Sequence, residues 1–140
     1  MNFLKKIIPI LILVLGLGAW YGYKEYNRGH EDLSSASSEV FIDAKDLFDQ
    51  FTSDEAGSNT KYLDKIITVE GTIAAIEKDE KGLITFLLDV KNDMANVTCQ
   101  MDEKKMEQAL KFNVGDKIKV KGQCSGFLMD VVLIRCVIEN

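Results

Sequence analysis

Between Lys6 and Lys24 the chain has no charged residue. The apolar positions of Ile7–Trp20 are continuous rather than periodic, so a helix formed here is apolar all round, the pattern of a helix in lipid. The 17 residues from Ile7 to Tyr23 reach about 25 Å at 1.5 Å per residue, the short end of spanning length. Phe3 and Leu4 extend it, because Lys5 and Lys6 can snorkel to the headgroups. Trp20, Tyr21, Tyr23 and Tyr26 sit where an interfacial aromatic belt would lie. Pro9 is expected in the first turns, where a missing N–H costs least. Residues 1–26 thus read as a signal anchor or transmembrane helix. A cleaved signal peptide is the competing reading, with Gly16 and Gly18 at −3 and −1 of a cut that bulky Trp20-Tyr21 disfavours. A lipoprotein signal conflicts with the absence of cysteine before Cys99. Lys5, Lys6 and the terminal amine favour an inside N-terminus. The remainder is then expected outside the cytoplasm, periplasmic or at the cell surface, on a single-pass protein of a bacterial inner or cytoplasmic membrane.

The net charge of −5 averages two unlike pieces. Residues 1–30 carry four basic groups and one acid; residues 31–140 carry 13 basic groups and 21 acids, a net of −8. An acidic folded part argues against a general polyanion binder.

Residues 27–38 are polar and contain Ser34-Ser35-Ala36-Ser37-Ser38, which reads as a flexible linker. His30, the single histidine, falls there without fixed partners and is not expected to bind metal or catalyse. Residues 39–140 then form one domain. From Glu39 to Phe51, Val40, Ala44, Leu47, Phe48 and Phe51 recur at helical spacing behind a Ser38 N-cap. Asp43, Asp46 and Asp49 form a solvated acidic face. Thr52–Thr60 reads as a loop. The rest reads as strands over Ile66–Glu77, Leu83–Val90, Asn96–Met101, Lys117–Cys124 and Asp130–Ile138. A turn over Ser125–Met129 precedes the last strand. Gly71 suggests a bulge or bend. A short helix, Glu103–Phe112, lies between the third and fourth strands with Met106 and Leu110 inward.

Five short strands with a helix between the third and fourth follow the plan of an OB-fold, a small Greek-key barrel. The run Phe112-Asn113-Val114-Gly115-Asp116-Lys117-Ile118-Lys119-Val120-Lys121-Gly122, joined to Val69-Glu70-Gly71-Thr72-Ile73, carries the resemblance. So do Lys61–Lys65, Val97-Thr98-Cys99, Gly122–Gly126 and Val131–Ile138. From about Val40 to Ile138 the chain resembles the tRNA_anti-like group of bacterial OB-fold proteins. The resemblance implies a mainly β, five-stranded barrel with a leading helix, behind an N-terminal signal or anchor. The family name points to anticodon-binding domains.

An OB-fold that binds single strands uses the outer face of its second and third strands and the flanking loops. It needs aromatics for bases and cations for phosphates. The expected outer face here is Thr85, Leu87 and Asp89 with Asn96, Thr98 and Gln100, without an aromatic or a cation. Lys81 and Phe127 are expected in the flanking loops. Lys117, Lys119 and Lys121 lie on the fourth strand, away from that groove, and are expected to pair with acids such as Glu70. The candidate ligand-binding residues are therefore Thr85, Asn96, Thr98, Gln100, Lys81 and Phe127. The amide and hydroxyl groups suit a polar uncharged oligomer such as a glycan, or a protein; nucleic acid is the alternative reading, and a scaffold without ligand a third. Asn96-Val97-Thr98 matches a glycosylation sequon but lies within a strand.

Cys99, Cys124 and Cys136 fall on the inward parity with no metal-ligand spacing. Buried free thiols are expected, although Cys99 with Cys136 leaves a disulfide open. A simple hairpin around Phe127 would set Cys124 opposite Asp130. No nucleophile–base set, phosphate loop or metal cluster is present, so no cofactor and no enzymatic activity are expected.

Overall fold

The computed structural model describes residues 2–26 and 32–140, with side chains from Ile7 onward in the first segment. The chain divides into two units, residues 1–31 and 32–140. His30 and the first part of the linker, residues 27–31, lie outside the described residues.

The described part of the first unit is the helix α1 (Asn2–Tyr26). Its 20-residue stretch Ile7–Tyr26 has a mean hydropathy of 1.6 and exposed side chains, so length and composition fit a membrane span or a signal sequence. Its 25 residues measure about 37 Å, enough for a hydrocarbon core of roughly 30 Å. The helix starts at Asn2, and Pro9 lies inside it about two turns from that start.

The second unit contains β1 (Val40–Asp43), α2 (Ala44–Ser53), α3 (Glu55–Tyr62), β2 (Ile66–Lys78), β3 (Ile84–Asp89) and β4 (Asn96–Met101). A one-turn helix, α4 (Met106–Ala109), then leads to β5 (Lys117–Leu128) and β6 (Asp130–Glu139). The strand order is β1-β2-β3-β4-β6-β5, and a β2–β5 pairing closes the last five strands into a barrel. Long β2 makes closure possible: Ile66–Thr72 pairs with β5, while Ile73–Lys78 pairs with β3. All five barrel strands stand where the alternation of apolar residues put them. Their inward residues, among them Val69, Phe86, Leu88, Val97, Val120 and Leu133, are fully buried.

The segment before the barrel departs from the sequence reading. Residues 40–43 are a strand, parallel to β2 with Val40 opposite Ile67 and Asp43 opposite Glu70. Over so short a run, Val40-Phe41-Ile42 fits a strand and a helix equally in periodicity, and pairing with β2 decides it. The N-cap of α2 is consequently Asp43, whose carboxylate accepts from the Lys45 N–H at 2.9 Å, and not Ser38. The expected loop Thr52–Thr60 is largely α3. Asp54 caps it by accepting from the Gly57 N–H at 3.0 Å, and Ser58 and Tyr62, four residues apart, are buried. Tyr62 lies against Phe51 with ring centroids 5.9 Å apart, so tertiary packing outweighs the poor helix propensity of Gly57, Asn59 and Thr60. Leu110 is 67 % exposed and Ala109 is buried instead, because the helix ends a turn earlier than its pattern suggested.

Two close approaches fix the sheet. Gly71 is not the bulge, which falls between Ile73 and Ala75. A Cβ at Gly71 would sit 3.0 Å from the Ala44 Cβ, so its lack of side chain lets α2 lie on β2. A Cβ at Gly122 would lie 2.5 Å from the Cys136 Sγ.

Asp32–Ser38, within the expected linker, lies against the barrel. Leu33 is 2 % exposed, and the Lys121 ammonium donates to the carbonyls of Ser34 at 3.3 Å and Ala36 at 2.9 Å. Lys121 is thus buried, whereas Lys117 makes the expected cross-strand pair with Glu70 at 2.5 Å.

Candidate functional site

Cross-strand register builds the outer face of the barrel in rows. Glu77, Thr85 and Gln100 form one, with Glu77 opposite Thr85 and Thr85 opposite Gln100. Ala75, Leu87, Thr98 and Val132 form the next. Asp89 and Asn96 form a third. Thr85, Asn96, Thr98 and Gln100 therefore share one surface, as their alternation required, and each is half-buried by its neighbours.

The groups on this face are already partly engaged. The Asp130 carboxylate accepts from the Asn96 N–H at 2.9 Å and from the Thr98 hydroxyl at 3.3 Å, tying the start of β6 to β4. The Asp89 carboxylate accepts from the Lys91 N–H at 2.8 Å and pairs with its ammonium at 2.7 Å. The Lys91 hydrogen bonds and charge hold that carboxyl below the usual aspartate range. Thr98 is thus a spoken-for hydroxyl, while among the described residues no comparable bond ties down the Thr85 hydroxyl and the Gln100 amide.

Lys81 is exposed in the β2–β3 turn. Asp79 builds that turn by accepting from the Lys81 and Leu83 N–H groups at 2.9 and 2.8 Å, and Gly82 takes the left-handed conformation the turn needs (φ 85°). Phe127 is in neither a loop nor the face. β5 runs on to Leu128 and turns at Met129, whose φ is 69°. Phe127 pairs opposite Val131 and stacks on Phe51 at 5.7 Å, with Phe48 edge-on at 6.0 Å. The chain turns at Met129 and not around Phe127. That turn, with a one-residue register shift between Cys124 and Gly126, sets Cys124 opposite Leu133 rather than Asp130.

Four features of the site escaped the sequence reading. Glu77 and Asp130 add carboxylates to the face. Leu128 and Met129 stand 87 % and 71 % exposed at the hairpin tip beside it. Arg135 sits at a second bulge, where Ile134 and Arg135 face Gln100 between the Cys99–Leu133 and Met101–Cys136 pairs. Its backbone is left-handed (φ 53°), and its guanidinium donates to the Gln123 side-chain carbonyl. Of these, only the hairpin tip was hinted at, by the turn expected over Ser125–Met129.

The three thiols are free and buried. Burial pushes the Cys124 thiol up, and burial with the neighbouring Cys99 pushes Cys136 well up. These two groups should stay protonated at neutral pH, and thiolate is the reactive form. We expect a disulfide-exchange reagent to label them only on the timescale of unfolding; rapid labelling in the native protein would contradict their burial. Among the described residues no group of three or more His, Cys, Asp or Glu side chains could hold a metal ion.

Comparison with known proteins decides the family. The tRNA_anti-like family model matches residues 1–138. The chain belongs to the tRNA_anti-like family. Among solved structures, a Klebsiella pneumoniae protein proposed to be a nucleic acid-binding lipoprotein matches with 19% identity and a TM-score of 0.57. The match covers 80% of this chain and 100% of that one. The Schizosaccharomyces pombe Stn1–Ten1 complex matches with 23% identity, a TM-score of 0.42 and coverage of 54% and 58%. The asparaginyl-tRNA synthetase of Entamoeba histolytica matches with 14% identity, a TM-score of 0.40 and coverage of 55% and 21%. A search of the curated proteins gives no match. The Klebsiella likeness extends the shared fold over most of the chain.

Proposed function

We propose that this tRNA_anti-like chain is a non-catalytic binding module, held in a bacterial membrane by α1, with its barrel outside the cytoplasm. Its outer face would take a ligand that is not a polyanion, and a polypeptide fits best. The supporting observation is the chemistry of the rows. Their middle row is mainly apolar (Ala75, Leu87 and Val132, with Thr98 between the last two and its hydroxyl on Asp130), the flanking rows carry hydroxyl and amide groups, and Glu77, Asp89 and Asp130 make the margins acidic. An apolar centre with a polar rim is the anatomy of a protein interface. The exposed Leu128–Met129 tip supplies the adaptable apolar contact such surfaces use.

The Klebsiella neighbour favours a second reading, nucleic-acid binding. That reading lacks an aromatic platform, since Phe127 packs into the Phe48–Phe51 cluster. Its candidate cations are Lys81 and Arg135. Each stacked base contributes about 1–3 kcal/mol, so a face without rings forgoes the main sequence-tolerant term.

The test is titration of the full chain in detergent micelles with single-stranded oligonucleotides at low salt. A flat response is expected. Saturable binding that collapses with salt and weakens in Lys81→Ala and Arg135→Ala would overturn the reading. An oligosaccharide titration followed at the amides of Thr85 and Gln100 separates a glycan from a polypeptide ligand. A reporter fused after Asn140 and active only outside the cytoplasm checks the compartment.

A further inference from the structure

Among the described residues, strand β1 has one neighbouring strand. It pairs with β2 and ends the sheet order, so its other edge is open. The Glu39 N–H donates to the Ile66 carbonyl at 2.9 Å, which points that residue toward β2. Successive residues of a strand alternate in direction, so the N–H and C=O groups of Val40 and Ile42 point to the open edge. The Ser38 hydroxyl donates to the Val40 carbonyl at 2.9 Å. Among the described residues the Val40 N–H and both backbone groups of Ile42 remain for a new strand.

Natural sheets protect such edges with lysine, proline or a bulge. Val40-Phe41-Ile42 has none of these, and the Phe41 side chain is 69 % exposed. Four residues offer too short a ladder for extended self-pairing, but enough for a peptide that also uses side-chain contacts.

Those contacts are available. An open groove of about 790 Å³ runs beside Val40, Phe41 and Ile42 and is walled by α2 and α3. Asp46, Asp49 and Asp54 line it, against Lys61 as the one cation among the described lining residues. The Lys61 ammonium is 3.2 Å from the Gln50 side-chain oxygen and 4.9 Å from the Tyr62 ring centre, so it is drawn to the wall. An incoming segment meets a ladder of backbone groups on one side and the carboxylates of Asp46, Asp49 and Asp54 on the other; Asp49 already pairs with the Lys45 ammonium at 2.5 Å, and Asp54 accepts from the Gly57 N–H.

We propose that the open edge of β1 and its acidic groove dock an extended, basic polypeptide segment of a partner protein by strand addition. Main-chain bonds would give affinity in this mode, and the alternate side chains specificity. The surface is separate from the β3–β4 outer face and does not depend on the reading given for that face.

The test uses the full chain in detergent micelles and a fluorescent peptide of alternating lysine and valine. Saturable polarisation is expected. Methylating alternate backbone amides of the peptide removes its strand bonds and should weaken binding about tenfold. A glutamate–valine peptide should fail to bind. Ile42→Pro removes one edge donor at a position where a sheet edge tolerates proline, and should also weaken binding about tenfold. Asp46→Lys, an exposed change on α2 that leaves the strand intact, should weaken it and flatten its salt dependence. Equal binding of the methylated or the acidic peptide would overturn the proposal, as would no binding of the basic one. Concentration-dependent dimerisation abolished by Ile42→Pro would assign the edge to a second copy and overturn it as well.

Discussion

Phe51→Ala is expected to destabilise the barrel by about 3–5 kcal/mol, the range for truncating a buried aromatic. Phe51 is 1 % exposed and touches two other rings, Tyr62 at 5.9 Å and Phe127 at 5.7 Å. It thereby joins α2, α3 and the end of β5. Removing it leaves a cavity that three elements cannot all close upon, so α3 should lose its packing first. Urea denaturation of the full chain in micelles measures this as a lower midpoint with a comparable slope. Phe127→Ala, at a half-buried ring of the same cluster, should cost about 1–3 kcal/mol. The two changes together should cost other than their sum, because the rings are in contact. If Phe127→Ala left stability intact and impaired binding of a ligand at the β3–β4 face, the ring would belong to that site.

The second large effect is expected at Lys121. Its ammonium pairs with the Glu139 carboxylate at 3.1 Å, with the lysine side chain 7 % and the glutamate 24 % exposed. Thr68, itself buried, donates to the other Glu139 oxygen at 3.0 Å. Lys121→Met removes the charge and leaves Glu139 and the two carbonyls of the Ser34–Ala36 segment without their donor. Breaking a fully buried pair costs about 3–5 kcal/mol, and the partial exposure of Glu139 reduces this to about 2–3 kcal/mol. Adding Glu139→Gln should recover part of the loss, since the orphaned charge is then gone. Limited proteolysis gives an independent readout: cleavage within Ser34–Ser38 should accelerate in Lys121→Met and not in Lys119→Met. Equal cleavage in the two variants would mean that Lys121 does not hold the segment.

The same lysine shows how far sequence reasoning reaches. Alternation placed Lys117, Lys119 and Lys121 on one side of β5, and they are there. Parity says which face a residue takes, but not what covers that face. Leu33 and the serine segment cover Lys121 and leave Lys117 exposed. Phe127 failed for the opposite reason. It was expected in a turn over Ser125–Met129, but β5 continues to Leu128 and the chain turns at Met129. Of the candidate site, Thr85, Asn96, Thr98 and Gln100 were legible because strand parity is local. Glu77, Asp130 and Arg135 were not, because each reaches the face through pairing with a distant strand or through a bulge.

The sequence by itself determined the apolar N-terminal helix, the five barrel strands and the acidic balance of the residues that follow the helix. Each of these follows from the order and polarity of neighbouring residues. Only the tertiary structure decided that Val40–Asp43 is a strand, that α3 exists, that Lys121 is buried and that one sheet edge is open. Short segments lie close to balance between conformations, and distant partners tip them: β2 for the edge strand, Phe51 for α3 and Glu139 for the lysine.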